Sequence, residues 1–113
     1  MKECVIENEA KDDLDILHLD GALDSYTFPR LEAALNELQE NGRSKVILDC
    51  NGLDYISSVA LGAFIGFARK AREQGGDMKL IRLSPKIYNI VELLGFHKIL
   101  EIFEDEESAA AQF

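Results

Sequence analysis

Val46-Ile-Leu-Asp-Cys-Asn-Gly-Leu-Asp-Tyr-Ile-Ser-Ser-Val-Ala-Leu-Gly62 changes rhythm partway along, and that change decides the fold class. Val46 to Leu48 is a continuous apolar run ending at Asp49, the pattern of a central strand covered on both faces and suited to a parallel neighbour. Asn51-Gly52 reads as punctuation, and Leu53 to Ile56 lead to the adjacent serines Ser57 and Ser58. Beyond them Leu61, Phe64, Ile65 and Ala68 share one face at helical spacing, and Gly75-Gly76 closes the helix. The segment is therefore strand, turn, helix.

Working upstream, Cys4 to Ile6 and Ile16 to Leu19 read as two strands, with Asn8 to Asp13 as the turn and Gly21-Ala-Leu-Asp24 ending the second. Thr27 is placed to cap a helix that tolerates Pro29 in its first turn, where amides lack intrahelical acceptors. Leu31, Ala34, Leu35 and Leu38 form its apolar stripe, and Asn41-Gly42 stops it. Downstream, Met78 to Leu83 reads as another strand, and Ser84-Pro85 opens a helix with buried positions Ile87, Ile90, Val91 and Leu94. Gly95 ends that helix and Phe96 supplies the accompanying apolar contact. Ile99 to Phe103 is a short strand or an extended segment, and Asp105 caps a last helix over Glu106 to Gln112. Strands alternate with helices from Ile16 onward, with no repeat and no linker. The expectation is one α/β domain over residues 1–113, with a mixed sheet because the opening strand pair is antiparallel.

Composition narrows the function. Hydrophobic residues make up 47% and charged residues 29%, a globular balance that needs no staple to fold. The formal net charge of -9 repels nucleic acid and anionic membrane surfaces and favours a basic protein partner. Cys4 and Cys50 lie among β-formers and read as buried free thiols rather than a disulfide framework. No apolar signal core follows Lys2, and the longest apolar stretch, Val59 to Ala68, is well short of the ~20 residues of a spanning helix. A soluble cytoplasmic protein is expected.

Ser57 and Ser58 carry the most chemical information. A serine at a helix start satisfies unpaired amides, and capping alone accounts for one of them. The same position suits a phosphoryl group, because free amides and the positive end of the dipole face it. Phosphorylation would add about -1.5 to -2 charges there. Catalysis finds no support: around Ser58 there is no Gly-x-Ser-x-Gly, and His18 and His97 sit in a strand pattern and after a helix. No phosphate-binding Gly-rich loop and no zinc-ligand spacing occur, so neither cofactor nor metal is expected. Gly62 and Gly66 suggest close packing of their helix against the sheet.

Taken in order, Gly21-Ala-Leu-Asp24, Val46-Ile-Leu-Asp49, Tyr55-Ile-Ser-Ser-Val-Ala-Leu-Gly62, Gly76-Asp-Met-Lys-Leu80 with Leu83-Ser-Pro85, and Leu93-Leu-Gly-Phe96 with Lys98-Ile-Leu100 resemble a STAS domain over nearly the whole chain. The resemblance implies a mixed four- or five-stranded sheet with helices mainly on one face. It further implies an anti-sigma factor antagonist that binds an anti-sigma factor with Ser/Thr kinase activity. In that family the kinase phosphorylates a serine at the second-helix start, the complex dissociates, and a Ser/Thr phosphatase resets the protein. The family motif Asp-Ser-x-Gly-Leu-Gly places the phosphoacceptor at Ser58 here, with Ser57 in place of its Asp and Ala60 in place of its first Gly. Partner contacts are expected from the loop Asp24, Ser25 and Tyr26, from Ser57, Ser58 and Val59, and from Gly62. The alternative is a constitutive STAS binding subunit of a transporter or scaffold complex, never phosphorylated, a role to which the Ser57 and Ala60 departures lean.

Overall fold

The computed structural model describes residues 3–113. Along the chain the elements are β1 (Cys4–Lys11), β2 (Leu14–Leu23), α1 (Phe28–Glu40), β3 (Lys45–Ile56), α2 (Ser58–Glu73), β4 (Asp77–Ile81), α3 (Pro85–Leu93), β5 (Ile102–Phe103) and α4 (Glu106–Ala110), with a 3-10 turn over Phe96–Lys98. The five strands lie in sequence order, β1-β2-β3-β4-β5. Only β1 and β2 are antiparallel; each later strand is parallel to its predecessor and joined to it by a crossover helix. The mixed sheet is as expected.

Val46 to Leu48 occupy the first part of β3, where it lies between two parallel neighbours, which is why neither of their faces is polar. One face of the sheet carries Leu17, Leu19, Leu48, Met78 and Leu80, packed beneath Leu31 and Leu35 of α1, Leu61, Phe64 and Ala68 of α2, and Ile87 and Val91 of α3. Phe64 is fully buried there, and truncating a ring of that kind to Ala costs about 3–5 kcal/mol. On the opposite face Ile16, Ile47 and Ile81 meet Ala109 of α4. Lys79, also on that side, is buried with its ammonium 3.0 Å from Asp77 and 2.6 Å from Glu101. Helices α1 to α3 thus share one face, and α4 covers part of the other. Cys4 and Cys50 are free and buried, as expected, and burial pushes both thiols upward.

Several local expectations are corrected. The first two strands are longer than their apolar cores, and the turn shrinks to Asp12 and Asp13, with Asp12 at φ 54°. Glu7 to Lys11 extend β1 although all but Ala10 are polar, because an edge strand faces solvent and still completes its ladder with β2. Asn51-Gly52 does not interrupt β3. The register with β2 slips there and again near Tyr55, so irregular pairing absorbs the extra residues. Gly21 to Leu23 belong to β2, and a Cβ at Gly21 (φ 110°) would strike the Glu3 carbonyl. The final strand keeps only Ile102 and Phe103, and α4 ends at Ala110. Ser84 and Asp105 cap their helices as expected, accepting from the amides of Ile87 and Ser108. Leu94 is exposed rather than part of the α3 stripe, since α3 ends at Leu93.

Candidate functional site

The sites expected from sequence converge at the carboxyl ends of β2 and β3, a consequence of the two strands being parallel. Leu23 pairs with Ile56, and the Ser57 amide donates to the Leu23 carbonyl at 2.9 Å. That bond holds the Asp24–Tyr26 loop beside the start of α2. Crevices outside the carboxyl ends of parallel strands are the usual place for recognition in α/β folds.

Ser57 is the N-cap of α2, in an extended conformation, and its Oγ accepts from the Ala60 amide at 3.1 Å. Ser58 is the first helical residue. It is exposed, and among the described residues its hydroxyl has no hydrogen-bond partner. The two adjacent serines therefore divide the work. One closes the helix end and the other keeps an exposed, unbonded hydroxyl. Val59, next along, is 70% exposed.

Asp24 is not simply a surface acid. Its Oδ1 accepts from the amides of Tyr26 at 2.8 Å and Thr27 at 3.0 Å. Those bonds, the Thr27 one foremost, hold its carboxyl below the usual carboxylate range. Thr27 does not cap α1 with its side chain, contrary to expectation. Its hydroxyl donates to the Ala22 carbonyl at 2.7 Å and accepts from the Asp24 amide at 3.0 Å, and its backbone is already helical. Asp24 instead satisfies the two amides just ahead of α1. Its partly engaged carboxylate lies in the same loop as the exposed Ser25 and Tyr26 (78% exposed).

Gly62 and Gly66 are also corrected. A Cβ built on either meets nothing within 4 Å, so neither packs against the sheet. Both lie on the exposed side of α2, on the same face as Val59, and leave helix backbone bare there. Sequence reasoning assigned no role to Tyr55, which is 48% exposed at the end of β3, just before the turn. An aromatic side chain two residues before a helix cap was the available signal. Tyr26, Tyr55 and Val59 thus bring exposed apolar surface to the same end of the sheet as Ser58. The arrangement is a shallow, exposed surface on which the Ser58 hydroxyl stands at the helix start, and nothing in it resembles a nucleophile paired with a base. Among the described residues no cluster of metal-ligating side chains forms, and no helix is long and apolar enough to cross a membrane.

Comparison with known proteins agrees with this geometry. The family model described as "STAS domain" matches residues 5–109. A Bordetella bronchiseptica protein, BtrV, whose name includes the words "anti-sigma factor antagonist", is 34% identical over 102 residues, covering 90% of this chain and 88% of its own length. The crystal structure of an anti-sigma factor antagonist from Mycobacterium paratuberculosis superposes with a TM-score of 0.87 at 18% identity, over 96% of this chain and 92% of that one. The phosphorylated form of the Bacillus cell fate determinant SpoIIAA superposes with a TM-score of 0.74, also at 18% identity, over 96% of this chain and all of that one (100%). A five-stranded mixed sheet with its helices mainly on one face, matched by the family model over nearly its whole length, means that this chain belongs to the STAS domain family.

Proposed function

We propose that this chain is an anti-sigma factor antagonist, a cytoplasmic protein without catalytic activity. In this reading it docks to an anti-sigma factor with Ser/Thr kinase activity and is released when Ser58 is phosphorylated. The observation that carries the reading is the division between adjacent serines: Ser57 caps α2, while the Ser58 hydroxyl is exposed and unbonded. The likeness to BtrV, named for that role, and to SpoIIAA, which has a phosphorylated form, supports the same class of protein.

Docking uses Tyr26 and Val59 as apolar contacts, with Ser25, Asp24 and the bare backbone at Gly62 around them. A phosphoryl group on Ser58 faces the first-turn amides, where it is tolerated by the fold. To a partner that approaches Val59 closely it presents about -1.5 to -2 new charges and a large hydration shell. The complex comes apart while the domain stays folded, and a Ser/Thr phosphatase restores the adhesive state. The formal charge of -9 supports a basic protein partner over nucleic acid or an anionic membrane.

The test starts from affinity capture with the native chain, followed by reconstitution with the captured kinase and ATP. Phosphate is expected on Ser58 alone. Ser58→Ala stays bound in ATP, and Ser58→Asp binds at least tenfold more weakly, as a buried unpaired charge at an interface demands. Equal binding by Ser58→Asp and wild type would remove the electrostatic mechanism. The second reading, a constitutive subunit of a transporter or scaffold complex, draws on Ser57 and Ala60, where the chain departs from the family motif. It predicts stable co-purification with such a complex and no charge shift on phosphate-resolving gels.

A further inference from the structure

The face of the sheet opposite α1 to α3 carries a row of charges that the docking function does not use. His18 sits in the middle of it, on β2. Its Nδ1 lies 2.8 Å from Asp49 Oδ2 on β3, and its Nε2 lies 2.9 Å from Glu9 Oε1 on β1. Asp49 Oδ2 also accepts from Arg82, just past β4, at 3.1 Å. On the other side, Lys11 lies 3.3 Å from Glu9 and donates to Glu106 of α4 at 2.6 Å. From Glu106 of α4 through Lys11 and Glu9 of β1, His18 of β2 and Asp49 of β3 to Arg82, the signs alternate along this face.

Two features make His18 the decisive member. A neutral imidazole carries one N–H and one lone pair, so it can donate to only one of two flanking carboxylates. With oxygens at 2.8 and 2.9 Å on its two nitrogens, only the imidazolium satisfies both. Imidazole is also the one side-chain type in this row whose ordinary titration range includes neutral pH. Arg82 adds a third sign of constraint. It is held at φ 56°, a left-handed conformation uncommon outside glycine, with its amide on the Phe103 carbonyl at 3.2 Å and its guanidinium on Asp49.

We propose that His18 is a proton-operated clasp: protonated, it ties edge strand β1 to β3 and completes the charge row that reaches α4 through Lys11 and Glu106, and losing its proton loosens β1 and, through that ion pair, α4. Without the proton, Glu9 and Asp49 flank a neutral ring and repel each other across β2, and Lys11 alone holds Glu9. The other carboxylates lining this side, Glu7 on β1 and Asp20 on β2, are also acidic, so every charged group near the ring except Arg82 and Lys11 favours the imidazolium. The hydrogen bond to Glu9 raises the His18 titration point above its ordinary 6.5, against the partial burial of the ring, and Asp49 adds to the rise. Because the folded value is raised, the clasp is fully engaged below about pH 6.5 and is lost as pH climbs through the folded value. The clasp is independent of the docking surface at Ser58.

The test reads the ring and the strand separately. Nitrogen-15 NMR of the imidazole at about pH 6 should show both nitrogens protonated. Amide hydrogen exchange, corrected for the intrinsic base-catalysed rate, is then compared between about pH 6 and about pH 8.5. Protection of β1 and α4 amides should fall by about tenfold for each unit by which the fold raises His18's titration point. Central β3 amides serve as the internal control. His18→Gln should abolish the pH dependence, and Glu9→Gln, at an exposed position that leaves the core intact, should shrink it and lower the titration point. A single protonated nitrogen at about pH 6, or equal pH dependence in wild type and His18→Gln, would overturn the proposal.

Discussion

The starts of α1 and α2 lie side by side, tied by the bond from the Ser57 amide to the Leu23 carbonyl, yet they treat their polar groups in opposite ways. At α1 the groups turn inward. Asp24 accepts from two amides, and the Thr27 hydroxyl is buried on the Ala22 carbonyl. At α2 the inward work is done by Ser57 alone, while Ser58 and Val59 face solvent. One helix start is bonded into the scaffold and the other leaves a hydroxyl exposed and unbonded. A residue bonded into the loop cannot be modified or rearranged without loosening the scaffold, whereas one with no internal partner can change state at little structural cost.

Substitutions at the two helix starts should break or sharpen that contrast. The largest stability loss is expected from Asp24→Ala, which leaves the Tyr26 and Thr27 amides unsatisfied; Asp24→Asn keeps the acceptor and should recover most of the loss in a urea midpoint measurement. Because hydrogen bonding lowers the Asp24 titration point, its contribution is present above its ordinary 3.8 and disappears as pH falls through the lower folded value. Acid unfolding of Asp24→Asn should accordingly be shallower than that of wild type. Ser57→Ala comes next, with a loss of about 1 kcal/mol from the missing cap. Gly62→Ala has the opposite sign. It fills open space on a helix and should stabilise by about 0.5–1 kcal/mol in the same assay, while weakening partner binding because a methyl now stands where the backbone was bare. Ser58→Ala should be the smallest, within about 0.5 kcal/mol of wild type. A larger loss would mean that Ser58 is bonded into the fold after all.

Much of this was legible in the chain. Capping is a contact between residues three apart, so Ser57, Ser84 and Asp105 could be assigned from their neighbours alone. Capping logic fails at Thr27, whose hydroxyl turns back to the Ala22 carbonyl five residues upstream instead of to the helix amides. Gly62 and Gly66 mislead for another reason: spacing shows that two small residues share a helix face, but not whether that face meets the sheet or the solvent. Asn51-Gly52 looks like a stop because irregular pairing with β2, which keeps such residues in a strand, depends on a partner distant in the chain.

The amino-acid sequence by itself determined the alternation of strands and helices, the two-sided burial of Val46 to Leu48 and the placing of two serines at a helix start. These rest on periodicity and on contacts within a turn of chain. Tertiary structure alone decided that Gly62 and Gly66 face solvent, that irregular pairing carries β3 through Asn51-Gly52, and that Glu9, His18, Asp49 and Arg82 stand in one row. Strand register and sheet side set those outcomes, and register is a relation between distant segments that no local pattern encodes.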